Sequence, residues 1–477
     1  MNTRQNFIGG DWVDAPEAAE NINPSDTRDV VGIYGRSDRA HAEAAIAAAQ
    51  AAARSWGESG IQQRFDVLDA IGTEILARKE ELGRLLSQEE GKTLPEGIGE
   101  VARAGQVFKF FAGETLRLQG EILASVRPGV SVEVTREPIG VVGIITPWNF
   151  PLAIPAWKIA PALAYGNTVV FKPAELTPGC GWALAEIISR SGIPEGVFNL
   201  VMGQGSIVGQ ALIEDSRVDA VSFTGSVATG RRVAKACSER GAKYQLEMGG
   251  KNPLIILADA DLDNAVECAV NGAYYSTGQR CTASSRLIVE DSVHDKFVDR
   301  LTARIEGLTV DHALKAGTQI GPVVDDRQLQ QNLRYIKIGL AEGARLVSGG
   351  EVLSRDTPGF YMSPTLFADT RNDMQINREE IFGPVAMTIR ARDIDEAIAI
   401  ANQTEFGLSA GICTQSLAAA SQFKRRIQAG MAMVNLPTAG VDYHVPFGGT
   451  KASSFGSREQ GRYASEFYTT VKTAYLG

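Results

Sequence analysis

Val141-Val142-Gly143-Ile144-Ile145 runs directly into Thr146-Pro147-Trp148-Asn149-Phe150-Pro151. The first five residues are apolar or glycine, the length and character of a strand buried on both faces. Pro147 and Pro151 then prevent a regular helix and shape a loop. Three further runs, Thr168–Lys172, Val197–Val201 and Val218–Phe223, repeat the device, each ahead of a helical segment. Strands alternating with helices predict βαβ units and a parallel sheet, so the fold class is α/β. In open sheets of this kind ligands bind beyond the carboxyl ends of the strands.

Outward from this stretch, a second α/β region begins near Pro253. Pro253–Leu257 and Arg286–Val289 read as strands, Leu262–Tyr274 and Val293–Glu306 as helices. Residues 38–120 are rich in helix formers, and Arg64 to Leu86 repeats apolar residues at three- and four-residue spacing. Between these blocks Val126, Val130, Val132 and Val134 alternate with polar residues, as in exposed strands. The tail Ala464–Leu476 reads as a lone strand, which needs either the stretch 122–136 or a second subunit to pair with.

At 477 residues the chain is too long for one core, and two or three domains are expected. A net charge of −9 disfavours nucleic acid, which requires a basic surface. Pro138 to Trp157 carries no charge over 20 residues, yet four prolines (138, 147, 151 and 155) interrupt it. It reads as a buried strand and a shaped loop, not a membrane span. The start lacks the apolar run of a signal peptide. Five widely spaced cysteines without a CxxC, and four scattered histidines, predict neither a disulfide framework nor a metal centre. A reducing cytoplasm fits that usage.

Several motifs carry chemistry. Cys281 sits in Gly278-Gln279-Arg280-Cys281-Thr282-Ala283, among small and polar residues at the end of a predicted helix, as a nucleophile would. Cys268, between Val266 and Ala269, reads as inert core. Glu247, in Leu246-Glu247-Met248-Gly249-Gly250-Lys251, becomes a general base if its site is apolar; otherwise it is a solvated or capping carboxylate. Asn149, at a strand's carboxyl end, is placed to donate to an oxyanion, or simply to shape a turn. The strand ending Phe223-Thr224-Gly225-Ser226 opens a helix whose N-terminus favours a phosphate. Gly203-Gln204-Gly205-Ser206-Ile207-Val208-Gly209 imitates a dinucleotide glycine pattern, which alone is weak. Lys172 and Glu175 end another strand, where they can grip ribose hydroxyls or merely form a surface ion pair.

Taken together, the chain resembles the aldehyde dehydrogenase superfamily over nearly its whole length. The matching residues are Pro147-Trp148-Asn149-Phe150-Pro151, Lys172-Pro173-Ala174-Glu175, Phe223-Thr224-Gly225-Ser226, Leu246 to Lys251, Gly278 to Cys281, Glu379-Glu380-Ile381-Phe382-Gly383-Pro384 and Pro446-Phe447-Gly448-Gly449. The resemblance implies Cys281 as nucleophile, Glu247 as general base, and Asn149 with the Cys281 N–H as oxyanion hole. Lys158 and Glu459 match positions that relay the base's proton. Lys172 and Glu175 would hold the adenosine ribose, Ser226 the pyrophosphate and Glu380 the nicotinamide ribose. Thr146, Pro147, Trp148, Gly205, Gly225, Gly249 and Phe382 would complete the cofactor cleft, and Phe447 the substrate side. The implied fold has a Rossmann-like NAD(P)-binding domain (1–119 and 141–248), an α/β catalytic domain (249–446) and a small β oligomerisation flap (120–140 and 455–477). A homodimer or homotetramer is implied.

The run Ala439 to Gly449, with Ser453-Ser454-Phe455-Gly456-Ser457-Arg458-Glu459-Gln460-Gly461, is similar to 2-oxoglutarate semialdehyde (2,5-dioxopentanoate) dehydrogenases of sugar-acid and pentose oxidation. Such a substrate carries a carboxylate and needs a cationic anchor. Arg103 stands at a tunnel-lining position, with Arg280 or Ser285 as helpers; a solvated helix arginine is the plain alternative. Trp157 stands where another line of semialdehyde enzymes has arginine. Glu175 would repel a 2′-phosphate, so NAD is favoured, with NADP left open. Succinate, glutarate or broad-specificity aldehyde oxidation remain alternatives, as does a non-catalytic binding protein on the same scaffold. Glu247 disfavours an acylating enzyme, which would have no use for a water-activating base.

Overall fold

The computed structural model describes residues 2–477. Its first sheet has eight strands in the order Asp11–Val13, Asn6–Ile8, Phe198–Leu200, Thr168–Lys172, Val141–Ile145, Ala220–Thr224, Lys243–Glu247 and Ser454–Phe455. The five central strands are parallel, and both edges are antiparallel. Every residue of Thr168–Lys172 and Ala220–Thr224 is buried, because helices cover both faces. After Val141–Ile145 the chain adds strands on one side, then returns to place Ala220–Thr224 on the other. That reversal opens a crevice beside the Thr146–Pro151 loop.

Residues 38–120 form four helices, Arg39–Gly57, Ile61–Ala77, Lys79–Glu90 and Leu94–Thr115. The last starts on a capping box, Thr93 with Glu96, and carries Pro95 in its first turn. It crosses Ile61–Ala77 where a Cβ on Gly72 would stand 2.9 Å from the Gly105 carbonyl oxygen, an approach that needs glycine.

The second sheet has seven strands, Arg345–Ser348, Thr365–Ala368, Val385–Ala391, Ser284–Glu290, Asn252–Ile256, Ser409–Cys413 and Met431–Val434. All pairs are parallel except the first. The tail strand, Thr469–Leu476, pairs antiparallel along its whole length with Ser131–Pro138 of its own chain, and Glu121–Ala124 completes a third small sheet. Ile122, Leu123, Val126, Val471 and Tyr475 on and beside this sheet are exposed.

Three readings change. The uncharged stretch after Val141–Ile145 is a loop only to residue 152, because Ala153–Ala164 is a buried helix. Pro155 lies in its first turn, where no N–H is needed; Pro161 lies inside it. The terminal strand begins at Thr469, after a short helical turn at Ser465–Tyr468, while Ser454–Phe455 joins the first sheet instead of the flap. Pairing partners far away in sequence decide both. The hairpin Glu17–Asn23 with Asp26–Arg36 had no clear sequence signal. Among the described residues no helix is long and apolar enough to cross a membrane.

Candidate active site

The helix Leu262–Ala273 ends in a turn where Ser276, Thr277 and Gly278 all adopt left-handed backbone, with φ of 51°, 56° and 65°. Such a run persists only where side chains pin it. Glu96 accepts from Ser276 N–H (2.8 Å) and Oγ (3.0 Å), and Thr277 Oγ1 donates to the Gly321 carbonyl (3.1 Å). The turn delivers Cys281, half-buried, to a cleft of about 330 Å3. Asn252 Nδ2 donates to the carbonyls of Cys281 (2.8 Å) and Ala283 (2.9 Å), fixing the loop from below. Burial, then the Glu380 and Glu247 carboxylates, push the thiol up to about 12; the backbone N–H groups of Cys281 and Thr282 act the other way. Cys268 is buried in the second core beside Cys413.

Across the seam, Asn149 Nδ2 donates to the Gln279 carbonyl (3.0 Å), bringing the amide to the cysteine loop. Asn149 is in turn held by Lys92, whose ammonium donates to the Asn149 carbonyl (2.8 Å) and to Glu100 (2.7 Å) and lies 3.8 Å from the Phe150 ring centre. The other oxygen of Glu100 accepts from the N–H groups of Leu152 (3.0 Å) and Ala153 (3.1 Å), capping the helix that follows. Burial opposes the Lys92 charge, but Glu100 and Glu90 hold its pKa above the ordinary value.

Glu247 ends its strand buried, and is absent from the cleft wall. Ser454 Oγ accepts from the Gly449 N–H (2.7 Å) and lies 2.6 Å from Glu247 Oε2. With its lone pair so engaged, the hydroxyl proton points at the carboxylate. Glu247 Oε1 has no protein partner, and Gly448 leaves room beside it: a Cβ there would stand 2.8 Å away. Behind it Lys158 pairs with Glu459 and donates to Ser222 (2.9 Å), all three fully buried.

The cleft walls include Pro147, Trp148, Asn149, Gly225, Ser226, Gly249, Glu380 and Phe382. Trp148 meets Phe382 edge-on at 5.4 Å. Ser226 caps the helix Val227–Glu239. Glu380 accepts from the Gly250 N–H (2.9 Å) against Gly249, where any side chain would strike its carboxylate. Glu175 accepts from the Gly205 N–H (2.8 Å) and lies 3.8 Å from the buried Lys172 ammonium. The buried hydroxyls of Thr146 and Thr224 lack protein partners. The free Thr224 hydroxyl and the Gly225–Ser226 start of a helix on the cleft wall fit a dinucleotide, while Thr146, Lys172, Glu175 and Gly205 do not line that wall.

Arg103 projects from Leu94–Thr115 to donate to Gln460 Oε1 (3.1 Å) and lies 5.7 Å from the Trp157 ring centre. Trp157 stacks on Phe447 at 5.3 Å, and Phe447 packs in the same cluster as Cys281. Arg280 and Ser285 do not join this group. The Arg280 guanidinium is tied to Glu96 (3.2 Å) and the Asn271 carbonyl (3.2 Å), because the left-handed turn directs it behind the cysteine loop. Ser285 faces a separate cavity of about 20 Å3 behind Glu380.

A profile of the aldehyde dehydrogenase family matches residues 12–474. The chain belongs to the aldehyde dehydrogenase family. It is 43% identical to an alpha-ketoglutaric semialdehyde dehydrogenase of Bacillus subtilis, over 100% of this chain and 98% of that one. It is 40% identical to a 2,5-dioxopentanoate dehydrogenase of Saccharolobus solfataricus, over 96% and 95%. A crystal structure of betaine aldehyde dehydrogenase from Staphylococcus aureus in complex with NAD+ superposes with a TM-score of 0.97 at 34% identity, covering 99% of this chain and 94% of that one. The chain is thus an NAD(P)-dependent aldehyde oxidoreductase.

Lys92, Glu100, Ser454 and Gln460 escaped the reading of this dehydrogenase's sequence. Nothing local marks Lys92 or Glu100 in a helix-rich segment, or Ser454 and Gln460 in a run of small and polar residues. Their signal is the pairing itself. Lys92→Met leaves Glu100 buried without its cation, so a loss of about 3–5 kcal/mol is expected in thermal or denaturant unfolding. Lys92→Met/Glu100→Gln should recover part of that stability while kcat/KM stays depressed by about tenfold or more, because the Asn149 loop has lost its anchor.

Proposed function

We propose that this dehydrogenase oxidises 2-oxoglutarate semialdehyde (2,5-dioxopentanoate) to 2-oxoglutarate through a thioester on Cys281. The observation that carries the substrate is Arg103: a guanidinium at the Trp157–Phe447 wall beside the thiol, with a buried Nε that has no protein acceptor. A buried guanidinium with an open donor suits a substrate carboxylate. The names of the Bacillus and Saccharolobus relatives agree with that choice.

Cys281 gives up its proton to solvent through the open cleft and, as the thiolate, attacks the aldehyde carbon. The developing alkoxide is held by the Cys281 N–H and by Asn149, whose second amide N–H is free of Gln279. The cofactor, held by Lys172, Glu175, Ser226 and Glu380 with Thr146, Pro147, Trp148, Gly205, Gly225, Gly249 and Phe382 shaping the cleft, supplies a two-electron acceptor. Glu247 takes a proton from the water that hydrolyses the thioester, and Lys158 with Glu459 passes it outward. Glu175 faces the ribose grip and would repel a 2′-phosphate, which favours NAD over NADP. The exposed apolar residues around Glu121–Ala124 and Thr469–Leu476 suit a homodimer or homotetramer contact, and five free thiols suit a reducing cytoplasm.

Three outcomes are expected. Glu247→Gln retains the first burst of reduced cofactor but slows turnover by about 10²–10⁴-fold in stopped-flow assays; loss of the burst itself would contradict the assigned base. Burial and then Glu459 raise Glu247 well above the carboxylate range, while Ser454, Lys158 and Arg458 draw it down. A base is active only above its own pKa, so thioester hydrolysis falls as pH drops through it. Ser454→Ala should move that limb to higher pH, read from single-turnover acid release. Finally, initial rates with NAD and NADP over oxo-acid and neutral aldehydes test substrate and cofactor together. Arg103→Ala should lower kcat/KM for the oxo-acid at least about tenfold more than for a neutral aldehyde. Equal losses would refute the anchor.

A further inference from the structure

Three buried N–H donors of one side-chain cluster, behind the wall of the cleft that holds Cys281, have no protein acceptor: Arg103 Nε, Gln460 Nε2 and Trp157 Nε1. They belong to one cluster. Arg103 donates to Gln460 Oε1 and stands over the Trp157 ring. Arginine cannot accept a hydrogen bond, so the Gln460 oxygen must face it and the amide nitrogen must turn away. Gln460 is fully buried, Trp157 6% exposed. Two carboxylates act on Arg103: Glu100, already engaged by Lys92 and by two backbone N–H groups, and Asp442, which is exposed and makes no ion pair with it.

The backbone points the same way. Gln460 has a φ of 60°, which a non-glycine residue adopts at a cost and keeps only where its surroundings impose it. Immediately before it, Glu459 exchanges both backbone hydrogen bonds with Phe447 (2.7 and 2.8 Å), the residue stacked on Trp157. The strained position thus follows directly on the residue that pairs with Phe447, whose ring packs with Cys281.

Unmatched buried donors are costly, and three in one side-chain cluster would be satisfied by an occupant rich in acceptors. A carboxylate alone presents two oxygens. A 2-oxo acid presents three, in or near one plane: the carboxylate pair and the adjacent keto oxygen. We propose that Gln460 and Trp157 read the 2-oxo group of the substrate while Arg103 takes its carboxylate, so that these two neutral donors separate 2-oxo acid semialdehydes from simple dicarboxylic semialdehydes. This rests on the substrate reading above and adds to it the residues that discriminate.

The test compares 2-oxoglutarate semialdehyde with glutarate semialdehyde, which has the same chain length and lacks only the keto oxygen, with pentanal as a neutral reference. The wild-type enzyme is expected to favour the 2-oxo substrate in kcat/KM by at least about tenfold, because a site built to donate to an oxygen rejects the analogue without it. Gln460→Met and Trp157→Phe should each shrink that ratio several-fold, and the ratio of inhibition constants for the products 2-oxoglutarate and glutarate should shrink with it. Trp157→Phe keeps the ring stack, so it remains informative if Gln460→Met is poorly folded. A general packing defect would lower both substrates together and leave both ratios intact; that result overturns the proposal. If the wild type prefers both semialdehydes equally over pentanal, the carboxylate reading stands and the role of Gln460 and Trp157 falls. If it prefers pentanal, the substrate reading fails, and this inference with it.

Discussion

The hydrogen bond from the Asn149 amide to the Gln279 carbonyl crosses the seam between the two sheets, and the chemistry of the protein hangs on it. One partner stands on the loop after Val141–Ile145, the other two residues before Cys281. Both are buried, so neither can turn to water instead. Behind Asn149 stands the Lys92–Glu100 pair; behind the cysteine loop stands Glu96, which pins Ser276 and Arg280. Glu96 and Glu100 leave the same helix, Leu94–Thr115, one turn apart, so a single rigid element braces both sides of the seam.

That bracing permits an interior unusually rich in ionisable groups. Glu247, Lys158, Glu459, Lys172 and Lys92 all lie buried close to the cleft. Each charge there is matched by a partner or shifted by the lack of one. Glu380 is pushed up to about 7 by burial, partly offset by the Gly250 N–H and Lys251. Lys251, buried without a hydrogen-bond partner, is drawn down to about 7. A dry site amplifies every such interaction, and makes each unmatched donor or acceptor costly. The open oxygen of Glu247 and the open donors around Gln460 are the ones on which the proposed water and substrate contacts rest.

Much of this was legible in the chain. The run 141–151 set the parallel sheet, and Cys281 stood apart from Cys268 because its neighbours were polar and small. Glu247, Asn149 and Ser226 could be singled out because each lies at or just beyond the end of a strand or at the start of a helix, whereas Glu380, in a loop between helix and strand, came only from the family resemblance. Lys158 and Glu459 were reached only through family resemblance, since nothing local marks a buried lysine in an apolar helix. Arg280 was expected to help Arg103; a left-handed turn, which no residue preference announces at Ser276 and Thr277, sends it the other way.

By itself, then, the sequence determined the period of each element, the turns that end them and the chemical types available at those ends, because these follow from contacts within a few residues. What meets what was decided only by the tertiary structure. Asn149 reaches Gln279 across 130 residues, Ser454 reaches Glu247 across 207, and Arg103 reaches Gln460 across 357. Pairings at such separations leave no local trace in the chain. They arise because buried polar groups must find partners once the apolar faces have packed.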